Sequence, residues 1–135
     1  YIYMSDEEFD RAISNGYFLE WAAFAGARYG TPKQPVLDAL SKGKDVLLEI
    51  DIDGAKQVKA NWSGAILVFL EPPSWEELVS RLERRATDSP ERRAERLALA
   101  QDEMAQSPFF DHILVNDQVE RVVASLIRLA HSQRS

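Results

Sequence analysis

Residues 46–54 read Val-Leu-Leu-Glu-Ile-Asp-Ile-Asp-Gly and constrain the fold more than any other stretch of the chain. A short apolar run between two glycines is typical of a strand that is buried on both faces at the centre of a parallel sheet. In an open α/β sheet the ligand crevice lies at the carboxyl ends of the strands. The run therefore predicts chemistry at Glu49, Asp51 and Asp53. The alternative is a strand whose acidic end is only solvated.

Composition excludes several classes of protein. The 135 residues suit one domain, and the net charge of -6 argues against a nucleic-acid partner or an anionic membrane surface. Without cysteine there is no disulfide or thiolate metal site, and His112 and His131 are too isolated to form a metal pair. No apolar stretch approaches the roughly 20 residues of a membrane span. We expect a cytoplasmic protein, and its oligomeric state stays open.

Strand and helix signals alternate along the chain. Apolar runs predict strands at residues 17–24, 46–54, 65–70 and 113–115. Because these runs are mostly apolar rather than regularly alternating with polar residues, they favour an α/β fold in which helices cover a parallel sheet.

Helix starts are predicted from capping residues. Ser5 with Glu8, Ser74 with Glu77, and Asp117 with Glu120 have the spacing of capping boxes. Further helices are predicted from Thr31 as N-cap with Pro32 as first helical residue, from Gly54 to Ala60, and from residues 88–91. Two glycines predict a loop at residues 26–31.

Arginines form the densest chemical signal. Residues three and four apart share a helix face, which groups Arg81, Arg84 and Arg85, and also Arg92, Arg93 and Arg96. Guanidinium groups fit phosphate oxygens, so two such faces around a turn at residues 87–90 could close over a polyphosphate. The alternative is a solvated surface balanced by Glu83, Glu91 and Glu95.

A second signal surrounds Tyr29. Tyr1 and Thr31 supply hydroxyl groups, and Glu20 supplies a carboxylate from a nearby predicted strand. A carboxylate that accepts two parallel hydrogen bonds suits the N1 and N2 edge of guanine, and tyrosine hydroxyls can bind a phosphate. The alternative is that the tyrosines fill the core and Glu20 is an ordinary strand-edge residue.

Taken in order, these segments resemble the guanylate kinase family, whose enzymes transfer a phosphoryl group from ATP to GMP. Residues 1–9 are similar to Y-x-F-V-S-x-x-E-F, 18–22 to F-[IL]-E-W-A, 29–31 to Y-G-[TS], and 46–55 to V-L-L-E-I-D-x-Q-G-A. Further matches occur at residues 72–74, 81–87, 96–97 and 115–117. The likeness therefore extends over nearly the whole chain.

The resemblance implies roles for particular residues. It places GMP against Tyr1, Glu20, Tyr29, Gly30, Thr31 and Asp51, with Glu20 and Thr31 on the guanine and the tyrosines on the phosphate. It implies transfer arginines at Arg85 and Arg96, with Arg81 as a helper. Asn116 would lie near ATP, and Glu49 and Asp53 near the nucleotide and its magnesium-bound water. Such roles suit phosphoryl transfer, which depends mainly on positioning and charge stabilisation.

The resemblance also implies a single P-loop-kinase-like domain over residues 1–135 with an incomplete core. Its expected parts are a small α+β GMP-binding subdomain at about 1–45, core strands and a helix at about 46–73, a helical lid at about 74–106, and a core strand and final helix at about 107–135.

Departures from the family pattern limit what the chain is expected to do alone. The phosphate-binding loop G-x-x-x-x-G-K-[ST] does not occur in the sequence, and the family carries it before the position matching Tyr1. We therefore expect the direct Mg2+ ligand outside these residues and no meaningful kinase activity from them alone.

Four substitutions also depart from the pattern. Arg84 and Ala86 replace glycines, Arg93 replaces an apolar residue, and Asp53 replaces a glutamine. The alternative function is a non-catalytic module that binds a phosphorylated or acidic peptide. A kinase for another small phosphorylated metabolite is disfavoured by Glu20 beside Trp21.

Overall fold

A computed structural model describes residues 3–84 and 89–132, which group into two compact units, Tyr1–Ala65 and Ile66–Ser135. The helices are α1 (Asp6–Ser14), α2 (Lys33–Ser41), α3 (Ile52–Asn61), α4 (Trp75–Glu83), α5 (Pro90–Ala105) and α6 (Val119–Ser132), with a 3-10 turn at Ser107–Phe109. The strands are β1 (Phe18–Phe24), β2 (Ala27–Pro32), β3 (Val68–Glu71) and β4 (His112–Val115). None of the described helices is both long and apolar enough to cross a bilayer.

An antiparallel hairpin of β1 and β2 organises the first unit. The strands are joined by Ala25 and Gly26, whose φ angles of 52° and 78° both lie in the left-handed region. Positive φ at both central residues is the signature of the tight two-residue turn whose twist matches paired strands.

A bulge interrupts β1 at Leu19. Phe18 pairs with Pro32 and Glu20 pairs with Thr31, so Leu19 is an extra residue with no cross-strand partner. The bulge makes three successive side chains of β1 buried, and Leu19 is fully buried. Leu19 consequently anchors the core of the unit, together with Val36 of α2 and Val58 of α3.

Helix α1 packs on the hairpin through aromatic rings. Its first turn has the predicted capping box, in which the Ser5 hydroxyl accepts from the Glu8 backbone and the Glu8 carboxylate accepts from the Ser5 backbone. The Phe9 ring lies 4.7 Å from that of Phe18 and carries the guanidinium of Arg28 at 4.5 Å on its face. Arg28 also donates to Asp10 at 2.6 Å, and this hydrogen bond raises the pKa of the guanidinium.

The second unit contains the parallel strands. β3 and β4 pair in register from Val68 opposite His112 to Glu71 opposite Val115, and α4 and α5 form the crossover between them. The backbone N–H of Leu67 donates to an Asp111 carboxylate oxygen at 2.7 Å. A parallel pair with a helical crossover, together with the structural similarity, confirms the predicted α/β class.

The prediction of a central strand at residues 46–54 is wrong. Residues 44–51 form no strand, and α3 begins at Ile52. Leu48 and Ile50 are partly buried against the core while Leu47 is 76% exposed, so this segment is not buried on both sides. The physical reason is pairing, because a strand needs a ladder partner and the described ladders join only β1 to β2 and β3 to β4.

The predicted loop at residues 26–31 is also wrong, since residues 27–32 form β2. Gly26 lies in the turn, whereas Gly30 lies within the strand against the ring of Phe18. Because Pro32 ends this strand, it becomes the N-cap of α2, and the predicted N-cap Thr31 belongs to β2.

The remaining boundaries differ in smaller ways. The predicted strand at 65–70 starts later, as β3, and the predicted helix from Gly54 starts earlier, as α3. Ser74 accepts from the Glu77 backbone as predicted, but the Glu77 carboxylate bonds Arg81 instead. Asp117 accepts from the Gln118 backbone rather than from Glu120, because α6 begins later than the capping pattern predicted.

Candidate functional site

Among the residues that the structure describes, Glu20 is a charged residue that is buried, with 8% of its surface exposed. The hydroxyl of Thr31, its cross-strand partner, donates to Oε1 at 2.6 Å. Burying a carboxylate is costly unless hydrogen bonds compensate it, and here the hairpin itself supplies one donor. The pairing therefore holds an acceptor group in place within the first unit.

Tyr29 lies on the same face of the hairpin. It pairs with Ala22, two residues before Thr31 on β2, and alternate residues of a strand share a face. Its side chain is 51% exposed, so the phenol is accessible. The hairpin thus presents a carboxylate, a hydroxyl and a phenol on one face, with Gly30 between the last two.

Asp51 joins this group through Gly54. Asp51 is the N-cap of α3, and its Oδ1 accepts from the Gly54 backbone at 2.7 Å. A Cβ built on Gly54 would lie 3.1 Å from Asp51 Oδ1 and 3.1 Å from Glu20 Oε2. The helix start therefore approaches both carboxylates at a point where a side chain would crowd them.

The remaining acidic candidates do not form a metal centre. Glu49 and Asp53 are exposed, and Asp53 lies in the first turn of α3. Across residues 3–84 and 89–132, no group of three or more His, Cys, Asp or Glu side chains could hold a metal ion. One oxygen of Asp51 is already used to cap the helix, so these residues do not fit a direct Mg2+ site.

The other candidates, apart from Tyr1, lie in the second unit. Arg81 Nε is 3.4 Å from Glu77 Oε1 on α4, whereas Arg96 is half-buried on α5. Asn116 follows β4, and its backbone N–H donates to the Glu71 carbonyl at 2.7 Å. Arg93 lines a cavity of about 230 Å³ beside Val79, Leu82 and Leu97. Tyr1, Arg85 and Ala86 lie outside the described residues.

Gln57 and Asn61 were missed by the sequence analysis. The Gln57 carboxamide accepts from the Trp21 backbone N–H at 3.0 Å and donates to the Trp21 carbonyl at 2.9 Å. Asn61 Nδ2 donates to the Leu19 carbonyl at 2.9 Å. A signal was present, because Gly54, Gln57 and Asn61 are spaced to share one helix face with buried Val58.

Comparison with known proteins identifies the family of the chain. The sequence model of the guanylate kinase family matches residues 1–133. The curated guanylate kinase of Streptomyces kasugaensis is 54% identical to this chain, over 96% of this chain and 63% of that protein. The curated guanylate kinase of Streptomyces coelicolor is 53% identical, over 97% of this chain and 66% of that protein. The crystal structure of guanylate kinase from Anaplasma phagocytophilum matches 98% of this chain and 64% of that chain, with a TM-score of 0.72 and 30% identity.

These matches define the structural class of the protein and its family. The fold is that of an α/β protein with a P-loop-kinase-like core, of which the described residues contain a small parallel sheet. The chain belongs to the guanylate kinase family. It spans 63% and 66% of the length of the two Streptomyces relatives.

Proposed function

We propose that a protein containing this chain transfers the γ-phosphoryl group of ATP to GMP, giving ADP and GDP, and that this chain supplies the GMP site. The observation that carries the proposal is the buried Glu20 carboxylate held by Thr31 at 2.6 Å. An ionised carboxylate only accepts hydrogen bonds, and guanine offers two parallel donors at N1 and N2. Adenine offers an acceptor at N1, so the same carboxylate rejects AMP.

The phosphate would be bound at the other end of the nucleotide. Tyr29 is exposed on the same hairpin face as Glu20 and Thr31, and we assign its hydroxyl, with that of Tyr1, to the GMP phosphate. Asp51, adjacent to Glu20 through Gly54, would order the nucleotide. We assign Arg81, Arg85 and Arg96 to the transferring phosphoryl group and Asn116 to the ATP side, because guanidinium groups stabilise charge that develops on phosphate oxygens.

ATP would enter with Mg2+, which neutralises charge on the phosphates. The described residues offer no direct Mg2+ site, so the metal would be held by ATP and by groups other than these residues. The sequence also contains no G-x-x-x-x-G-K-[ST] loop. We therefore propose that the 135 residues alone have no meaningful kinase activity, and turnover near that of other guanylate kinases would contradict this.

The decisive experiment is calorimetric titration of the folded chain with GMP, with AMP as the control ligand. Glu20→Gln keeps the shape but loses the charge and one acceptor position. Hydrogen bonds to a charged group contribute about 1.5–3 kcal/mol, so we expect binding to weaken about 10- to 100-fold. Glu7→Gln, on the exposed first turn of α1, is the matched control.

The outcomes separate the candidate functions. Selective GMP binding that is lost in Glu20→Gln supports the proposal. Equal binding of AMP, or an unaffected Glu20→Gln variant, would refute it. Binding of a phosphorylated peptide by a folded chain that ignores both nucleotides would favour the non-catalytic module.

A further inference from the structure

The outer edge of β1 is occupied by side chains of α3. A strand at the edge of a two-stranded hairpin leaves alternate backbone N–H and C=O groups without a ladder partner. Here both polar groups of Trp21 bond to the Gln57 carboxamide, and the Leu19 carbonyl accepts from Asn61. A carboxamide has the same donor and acceptor pair as a peptide group, so Gln57 replaces one residue of an absent neighbouring strand.

These contacts flank Glu20 on both sides. Leu19 precedes it and Trp21 follows it, so the two peptide units that set the direction of its Cα–Cβ bond are each held by α3. Leu19, just before Glu20, is a bulge residue without a cross-strand partner. The contacts from Gln57 and Asn61 are therefore more important for holding this part of β1. The same helix brings Gly54 against the Glu20 carboxylate.

We infer that Gln57, assisted by Asn61, is a positioning residue that sets the guanine selectivity of the site by fixing the Glu20 carboxylate. The inference rests on the proposed function, since it requires Glu20 to read the base. Gln57 acts on the backbone of β1 and touches no reacting atom. A misdirected carboxylate would lose the alignment of two parallel hydrogen bonds while leaving the phosphate contacts intact.

The first test compares GMP with IMP, which lacks the 2-amino group. We expect Gln57→Ala to reduce the GMP-over-IMP preference about tenfold, as expected for the loss of one charge-assisted hydrogen bond. Gln34→Ala is the matched control, because Gln34 bonds Asp38 of its own helix on the exposed side of α2. The control should leave the preference unchanged. A change in stability alone would not alter a ratio measured on folded protein.

A double-mutant cycle separates positioning from other effects. In a Glu20→Gln background, Gln57→Ala should change the GMP-over-IMP ratio less than twofold, because its effect passes through the Glu20 carboxylate. An undiminished tenfold loss in that background would overturn the inference. So would an unchanged ratio in Gln57→Ala itself. If that variant is unfolded by circular dichroism, Asn61→Ala takes its place in the cycle, with the same criteria.

A ligand-free measurement keeps this test distinct from that of the proposed function. The carbon-13 signal of the Glu20 carboxyl group should move in Gln57→Ala toward its position in Thr31→Val, which lacks the 2.6 Å hydrogen bond. It should not move in Gln34→Ala. If the unsubstituted chain shows no preference for GMP, the proposed function fails and this signal alone decides whether Gln57 fixes Glu20. An unmoved signal overturns the inference.

Discussion

Phe18 lies so close to Gly30 that β2 has room for no larger residue there. A Cβ built on Gly30 would be 2.6 Å from a carbon of the Phe18 ring. The ring cannot retreat easily, because it also packs at 4.7 Å on Phe9 and at 5.1 Å on Tyr17. Glycine is thus required for packing within the hairpin that carries the site.

We predict that Gly30→Ala lowers the free energy of unfolding by about 1–3 kcal/mol, the usual cost of inserting an atom into a packed core. The measurement is the urea midpoint followed by circular dichroism. Ala27→Ser adds one atom at an exposed position of the same strand and should leave the midpoint nearly unchanged. Equal midpoints for the two variants would contradict the steric argument.

The Glu8 carboxylate gives α1 a pH-dependent contribution to stability. A hydrogen bond from the Ser5 backbone, followed by one from its hydroxyl, lowers the pKa of Glu8 below its ordinary value of 4.5. A lowered folded-state pKa stabilises the protein above the unfolded-state pKa. That stabilisation is lost as the pH falls through the folded-state value.

We therefore predict that Glu8→Gln is less stable than the parent at pH 7 and that the difference shrinks as the pH falls below 4.5. Glutamine keeps the capping geometry, so the change reports the charge. Urea midpoints at pH 7 and pH 3 measure the effect. Glu7→Gln, outside the capping box, serves as control, and a difference that stays constant with pH would disprove the assignment.

The turn of the hairpin holds a non-glycine residue in the left-handed region of φ. Ala25 has a φ of 52°, and among the residues that the structure describes it is the one non-glycine residue with a positive φ. The left-handed region costs most L-residues roughly 1–2 kcal/mol, whereas asparagine tolerates it. The sequence Asn-Gly is also the preferred pair for this turn.

We predict that Ala25→Asn stabilises the chain by about 0.5–1 kcal/mol, which is part of the left-handed penalty. Thermal unfolding of the parent and the variant would measure it. Ala23→Asn, on the exposed part of β1, gains nothing from turn geometry and should not stabilise. A destabilised Ala25→Asn would show that the turn is limited by packing instead of by φ.

Helix α1 and strands β1, β3 and β4 were predicted from the sequence, whereas the strand predicted at residues 46–54 was not found. Helix α1 follows from Ser5 and Glu8, three residues apart, and the structure has that capping box. Residues 46–54 have the composition of a buried strand, but a strand also needs a partner that composition does not identify.

The same distinction applies to the site. The sequence predicted Glu20, Thr31 and Tyr29 as one group, and the structure brings them to one hairpin face, while their roles with GMP stay predictions. Gln57 was missed because its partner is a backbone group 36 positions earlier in the chain. The spacing of Gln57 with Gly54, Val58 and Asn61 indicates a buried helix face, but it does not identify Trp21 as the partner.

At the scale of the whole molecule, the candidate residues fall into two groups. The GMP-binding candidates that the structure describes belong to the first unit, and they are Glu20, Tyr29, Gly30, Thr31 and Asp51. Arg81, Arg96 and Asn116 belong to the second unit. Each unit has buried side chains of its own, such as Leu19 in the first and Phe69 in the second. Separate cores permit separate local unfolding.

We predict that GMP increases hydrogen-exchange protection mainly in residues 3–65. Ligand at 100 times its Kd stabilises the binding-competent state by about 2.7 kcal/mol, so slow amides of β1 and α3 should exchange about 100-fold more slowly. Amides of β3 and β4 should change far less. AMP is the control ligand, and equal protection of both units by GMP would mean that they unfold as one cooperative body.

The contact between α3 and β1 also bears on aggregation. An unpaired strand edge is a template onto which strands of other molecules can add, and the edge of β1 carries the Trp21 and Leu19 backbone groups. Gln57 and Asn61 occupy those groups with side chains, which cannot propagate a ladder. Loss of Gln57 and Asn61 would therefore leave these backbone groups open to pairing with a strand of another molecule.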